Sequence, residues 1–250
     1  MEIILYLPIF LYGIVIGSFL NVCIYRIPLG ESIAKERSHC MSCGYQLRWY
    51  DLVPLFSWLA LRGKCRKCKA PISPQYPMIE GANGLLYVLI FAVHGFNLVS
   101  GLYCLMASAL LALSVIDFRT YEIPFGFNVF IGILGLVRLV TDPGNWSDYV
   151  LGFLAISVVL LLLLVVSGGR AIGGGDVKLM ASAGLLVGWK LIILAFLIGC
   201  ILGSVIHIIR MKVSQAERVL AMGPYLSAGI LIAALWGNQF LNWYISLLGI

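Results

Sequence analysis

Apolar runs long enough to cross a bilayer recur along this chain, and they limit its folding more than any other feature. A helix spanning the hydrocarbon layer needs roughly 20 apolar residues. Such runs occupy about 3–24, 78–97, 99–116, 124–141, 148–167, 178–188, 190–209 and 220–246. Only 11% of the 250 residues are charged and 61% are hydrophobic, whereas about a quarter of a soluble domain is charged. So few charges cannot cover a water-facing surface, so most of the surface must face lipid. The expected class is an all-α polytopic membrane protein of about eight transmembrane helices. The sixth run is short and is expected to be broken or tilted. No basic residue precedes the first run and no small-residue cleavage site follows it, so it is expected to be a retained helix rather than a signal peptide.

One stretch breaks the pattern. Residues 25–77 carry nine of the 17 basic residues (Arg26, Lys35, Arg37, Arg48, Arg62, Lys64, Arg66, Lys67 and Lys69) and three acids, Glu31, Glu36 and Asp51. This loop holds the whole net charge of +6, which therefore calls for no nucleic-acid partner. Its basic run 62–69 suits anionic membrane lipid better than a substrate. Lys and Arg concentrate in cytoplasmic loops. With the loop inside and eight crossings, Arg119, Arg170, Lys178, Arg210, Lys212 and Arg218 also fall inside, leaving Arg138 and Lys190 outside. The division that follows is a first helix (1–24), a cytoplasmic loop domain (25–77) and a membrane core (78–250).

The loop also contains Cys40-x-x-Cys43 and Cys65-x-x-Cys68, separated by 21 residues. Two residues between cysteines let one tight turn aim two sulfurs at a single ion, and two such pairs match a tetrahedral all-cysteine zinc site. Four thiolates close the shell, so the expected role is structural. Two disulfides are the competing reading, which a reducing cytoplasm disfavours. His39 beside Cys40 is expected on the surface. Cys23, Cys104 and Cys200 lie in apolar runs and are expected to pack.

Eleven acidic residues are a small set, and two stand out. Asp117 follows the apolar run ending at Ile116, and Asp176 follows Gly173-Gly174-Gly175. The topology puts both carboxylates at the cytoplasmic ends of their helices. Either one taken alone reads better as an interfacial anchor. Three glycines opening a membrane helix, however, permit irregular backbone and close approach of another chain. They do not form a phosphate loop, because Gly175 stands where that pattern needs lysine. Two aspartates brought together can hydrolyse a peptide bond, one activating water and the other donating a proton. Gly223-Pro224 is expected to open the last helix.

Several segments together resemble the type IV prepilin peptidases (prepilin leader peptidase/N-methyltransferases). They are Gly17-Ser18-Phe19-Leu20-Asn21-Val22-Cys23 with Tyr25-Arg26-Ile27-Pro28, and the two cysteine pairs with Asp51-Leu52-Val53-Pro54-Leu55 and Ser57-Trp58-Leu59 between them. Tyr76-Pro77 with Glu80, Asp117 with Ile123-Pro124, and Gly173-Gly174-Gly175-Asp176-Val177-Lys178-Leu179 follow in the family's order. The resemblance implies a membrane aspartic endopeptidase of the GxGD type that removes the basic leader of type IV prepilins or pseudopilins at the cytoplasmic face of the inner membrane. It implies N-methylation of the new amino terminus with S-adenosylmethionine as donor. By motif it makes Asp117 and Asp176 the catalytic pair, Cys40, Cys43, Cys65 and Cys68 the zinc ligands, and Glu80 part of the surroundings of the site. A small transporter or channel-like protein with a zinc-bound docking loop, and a GxGD protease cleaving within membrane segments, remain open on the residues alone.

Overall fold

A computed structural model describes residues 2–35, 37–214 and 220–247; Glu36 and Arg218 lie outside the described residues. The described residues form ten α-helices in order: α1 (Glu2–Arg26), α2 (Phe56–Ala60), α3 (Gln75–His94), α4 (Leu98–Thr120), α5 (Phe125–Thr141), α6 (Trp146–Ala155), α7 (Ser157–Val166), α8 (Gly174–Val187), α9 (Trp189–Ser214) and α10 (Gly223–Leu247). Extended pairing among the described residues is confined to two isolated bridges in the loop. Among the described residues, five segments are long and apolar enough to cross a membrane: Ile4–Arg26, Gln75–His94, Leu98–Thr120, Pro143–Val166 and Trp189–Val213. The helix α5 is apolar but shorter. With 14 residues, α8 rises only about 21 Å, short of the roughly 30 Å hydrocarbon layer.

Three expectations shift. Asp117 lies inside the last turn of α4 rather than after it. Gly174, Gly175 and Asp176 are the first turn of α8 rather than a loop before it. The run 148–167 is two helices that meet at Ile156, where the Ser157 hydroxyl donates back to the Phe153 carbonyl. Such back-bonding competes with the helix ladder and bends it.

The chain divides into two compact units, Met1–Phe96 and Asn97–Ile250. In the first, α1 and α3 pack closely through small residues. A Cβ on Gly13 would lie 2.7 Å from Gly84 Cα, and one on Gly17 would lie 2.7 Å from Glu80 Cα. Backbones this close gain dispersion contacts that larger side chains would prevent. The Asn83 amide donates to the Gly13 carbonyl across the same seam at 2.7 Å.

In the second unit α4 is the most buried of the candidate spans, with Met106, Ala107, Leu110, Ala112 and Leu113 fully buried, and α8 packs against α5, α6, α7, α9 and α10. Gly152 on α6 and Gly184 on α8 meet so closely that a Cβ on either would sit 2.2 or 2.1 Å from the other's carbonyl oxygen. Exposed Val165, Val166, Leu197 and Ile201 lie on the outer surface, which is the composition of a lipid-facing wall.

Candidate metal centre and candidate active site

The loop of the first unit folds as two matching knuckles. In one, Cys40 N–H donates to Tyr45 O at 2.9 Å and Gly44 N–H to Cys40 O at 2.9 Å. In the other, Cys65 N–H donates to Ala70 O at 2.8 Å and Lys69 N–H to Cys65 O at 3.0 Å. The residue after the second cysteine takes a left-handed φ in both, +68° at Gly44 and +61° at Lys69. That turn folds the second sulfur back beside the first. All four Sγ atoms lie within 4.8 Å of one another.

The Cys40 and Cys68 sulfurs are 3.8 Å apart. This is far beyond the ~2.05 Å of a disulfide. Zinc–sulfur bonds of about 2.3 Å at tetrahedral angles put sulfurs about 3.8 Å apart, so the donor set fits a metal ion. The amides of Ser42 and Cys43 point at Cys40 and bring its thiol down to about 6, whereas, against the Ala70 amide, burial and the facing thiols of Cys43, Cys65 and Cys40 push Cys68 up to about 11; one thiolate forms readily and all four require a cation among them.

Asp51 ties the knuckles together. Its side chain is buried and pairs with Arg66 at 2.7 Å, inside the second cysteine pair. It also accepts from the Arg48 amide at 3.1 Å and the Tyr45 hydroxyl at 3.4 Å. Burial pushes this carboxyl up, but Arg66, the Arg48 amide and Tyr45 outweigh it and hold Asp51 below the usual aspartate range.

Glu80 belongs to this unit too. It is buried in α3, and its Oε2 accepts the Leu55 amide at 2.7 Å. Leu55 precedes α2 with a left-handed φ of +61°, so the carboxylate fastens a strained corner of the loop to α3.

In the second unit, Asp117 and Asp176 are close enough to interact electrostatically. Asp117 is 4% exposed, and its Oδ2 accepts the Gly223 amide at 2.9 Å. Gly223 begins α10, so the positive end of that helix dipole points at the carboxylate. Asp176 stands in the first turn of α8. The α4–α5 turn meets this start: a Cβ on Gly175 would lie 3.0 Å from Ile123 Cβ, and Asn128 donates to the Gly175 carbonyl at 3.4 Å.

A Cβ on Gly173 would sit 3.2 Å from Asp176 Oδ2, whereas one on Gly174 would meet open space. Close approach therefore makes a side chain at 173 or 175 tight, so that Asp176 or Ile123 would have to yield by a few tenths of an ångström, and nothing in the structure requires glycine at 174. The left-handed glycines lie upstream, at Gly168 and Gly169. Sequence reasoning missed Gly223 and Asn128 as parts of this site. A Gly-Pro pair signals a helix start, but its partner lies 106 positions away and leaves no local trace.

The class so defined is an integral membrane protein that gathers two carboxylates at helix ends and carries a separate four-thiol module. Comparison with known proteins narrows this. The Bacterial Peptidase A24 N-terminal domain matches residues 11–94, and the Type IV leader peptidase family matches residues 104–208. A prepilin leader peptidase/N-methyltransferase from Stutzerimonas stutzeri is 34% identical over 93% of this chain and 91% of its own length. One from Pseudomonas aeruginosa is 31% identical over 96% and 93%. One from Myxococcus xanthus is 35% identical over 80% of this chain and 62% of its own length. The chain belongs to the type IV leader peptidase family. No solved structure matches it significantly.

Proposed function

We infer that this protein is a membrane aspartic endopeptidase that cleaves the basic leader from type IV prepilins or pseudopilins and N-methylates the new amino terminus. Family membership and the names of the relatives support both activities, and they disfavour a transporter or channel. The observation that supports the chemistry is that Asp117, in the last turn of α4, and Asp176, in the first turn of α8, are near enough to feel one another's charge.

In this reading the two carboxylates hold one proton between them, because adjacent like charges do not both ionise cheaply. Asp117, facing the Gly223 amide and the start of α10, bears the charge and takes a proton from the attacking water. Asp176 donates its proton to the leaving amine as the peptide bond breaks. Glycine at 173 and 175 keeps the approach to Asp176 narrow and free of side chains. S-adenosylmethionine supplies the methyl group as a co-substrate, and no residue is assigned to it.

The four thiols would hold a structural zinc, which fixes the knuckles and leaves no coordination site for chemistry. The distribution of basic residues supports eight crossings, with 25–77 and both aspartates on the cytoplasmic side of the inner membrane and the peptidase core in 78–250.

The test is leader release from a prepilin in detergent, read by product mass. Asp117→Asn, Asp176→Asn and the double variant should each lose activity to the same extent, by about 10⁴-fold or more, as residues acting as a unit do. Asp142→Asn and Asp148→Asn should keep it, since those carboxylates serve local bonds to Tyr149 and Trp189. Substantial cleavage by either single variant of the pair would overturn the mechanism.

A further inference from the structure

The knuckles leave an unusual surface. The turn Trp49–Asp51 and the short helix α2 pack on one another. Between them, within eleven positions, five large apolar side chains stand in the open: Trp49 is 79% exposed, Leu52 44%, Val53 37%, Phe56 59% and Leu59 63%. Yet this segment sits in the most polar part of the chain. Phe56 and Leu59 are one helical turn apart and share a face of α2.

The depth of this face follows from its moorings. The loop is strung between α1 and α3, both candidate membrane spans. Leu55, the residue before α2, donates its amide to Glu80. Glu80 lies five positions inside α3, which begins at Gln75, and this corresponds to about 8 Å along the helix axis. The Leu55 side chain also faces Gly81, whose Cβ would lie 3.8 Å away. The start of α2 is therefore held beside the end of a spanning helix, at the level where headgroups begin, rather than out in solvent.

The charge around it is one-sided. Residues 48–69 contain Arg48, Arg62, Lys64, Arg66, Lys67 and Lys69 against a single acid, Asp51, and Asp51 is already consumed by Arg66. Four thiolates with a divalent ion add two negative charges, and the segment stays net positive. Such a surface repels a basic leader peptide. Aromatic and aliphatic tips ringed by Arg and Lys match the boundary of an anionic bilayer, where rings sit among headgroups and basic side chains meet phosphates.

We propose that the segment Trp49–Leu59 is an interfacial anchor that lays the four-cysteine module on an anionic lipid surface. The apolar tips enter the headgroup–acyl boundary, and Arg48 and Arg62 contact phosphates. Each basic side chain held near such a surface strengthens the association about fivefold, so the two arginines together account for roughly 25-fold. The anchor holds the knuckles flat against the membrane and limits their motion relative to α1 and α3.

The test uses the full chain in nanodiscs of pure phosphatidylcholine or of phosphatidylcholine with one-third phosphatidylglycerol. Hydrogen exchange of peptides covering 48–60 should slow about tenfold or more in the anionic discs. This protection should shrink when salt is raised to about 0.5 M, which shortens the screening length. Arg48→Gln with Arg62→Gln should remove the difference between the two lipids while leaving the metal content unchanged. Brominated lipid should quench wild-type fluorescence more than that of Trp49→Phe. Equal exchange in both lipids with no extra quenching of Trp49 would overturn the proposal. Protection that arises only on adding a prepilin would also overturn it, because the face would then belong to the substrate.

Discussion

The bond between the Gly223 amide and Asp117 makes a sharp prediction about a residue with no side chain. In Gly223→Ala the new Cβ would lie 2.7 Å from Asp117 Oδ2, 3.0 Å from its Cγ and 3.1 Å from its Cβ, where ordinary contact starts at 3.4 Å. The carboxylate must therefore retreat by roughly 0.7 Å, the gap between 3.4 and 2.7 Å, or α10 must shift by as much. The backbone itself tolerates alanine, since Gly223 is not among the left-handed positions. Misplacing a reacting group by about 1 Å costs on the order of 10²-fold. Stretching a buried bond to a charged acceptor costs up to about 1.5–3 kcal/mol, which is about 10- to 100-fold in rate. Both routes give a fall in kcat of about 10- to 100-fold. Because the leader is not held by Gly223, KM should change little. Overpacking at one position should cost about 1–3 kcal/mol of stability, leaving the protein folded. The assay is leader release over a range of prepilin concentrations, beside a thermal melt in detergent. Gly81→Ala, whose Cβ would make an ordinary 3.8 Å contact, is the control and should be near wild type. Activity of Gly223→Ala within about twofold of wild type, or a loss that tracks the folded fraction, would refute the argument.

Other outcomes follow from the same geometry. Purified protein should contain about one zinc per chain; Cys40→Ser with Cys65→Ser should lose it and become open to protease between 25 and 77, and metal retained at full occupancy would contradict the assignment. Asp51→Asn should loosen both knuckles by releasing Arg66. Because Asp51 titrates below its ordinary range in the folded loop, its contribution is complete above the unfolded value of about 4 and fades as pH falls through the lower folded value. The protease resistance of wild type should therefore exceed that of Asp51→Asn at neutral pH and converge with it in strong acid; a gap that persists in acid would remove Asp51 from that role. Gly152→Ala should lower the melting temperature sharply, because its Cβ would enter the Gly184 carbonyl at 2.2 Å and neither backbone can yield without parting α6 from α8. An unchanged melt would mean that the two helices pack less closely than described.

The sequence alone determined the lipid-facing class, the place of the polar loop and the family, and it singled out Asp117, Asp176 and the four cysteines as candidates. These are matters of composition and spacing. Runs of about twenty apolar residues admit few fates in water or lipid, and two residues between cysteines let one tight turn bring both sulfurs together. Asp117 and Asp176 stood out for a similar reason: acids are scarce in an apolar chain, and Asp117 closes one apolar run while Asp176 opens another. Tertiary structure alone decided how those residues are held. The first turn of α8 includes Gly174 and Gly175, and the glycines at 173 and 175 answer to neighbours, Asp176 and Ile123, rather than to irregular backbone. Glu80 fastens Leu55, Asp51 joins the two knuckles through Arg66, and α10 brings Gly223 to Asp117 across 106 positions. Periodicity fixes which residues share a face of one helix. It carries no information about which other helix packs there, because that choice depends on how small residues let distant backbones approach.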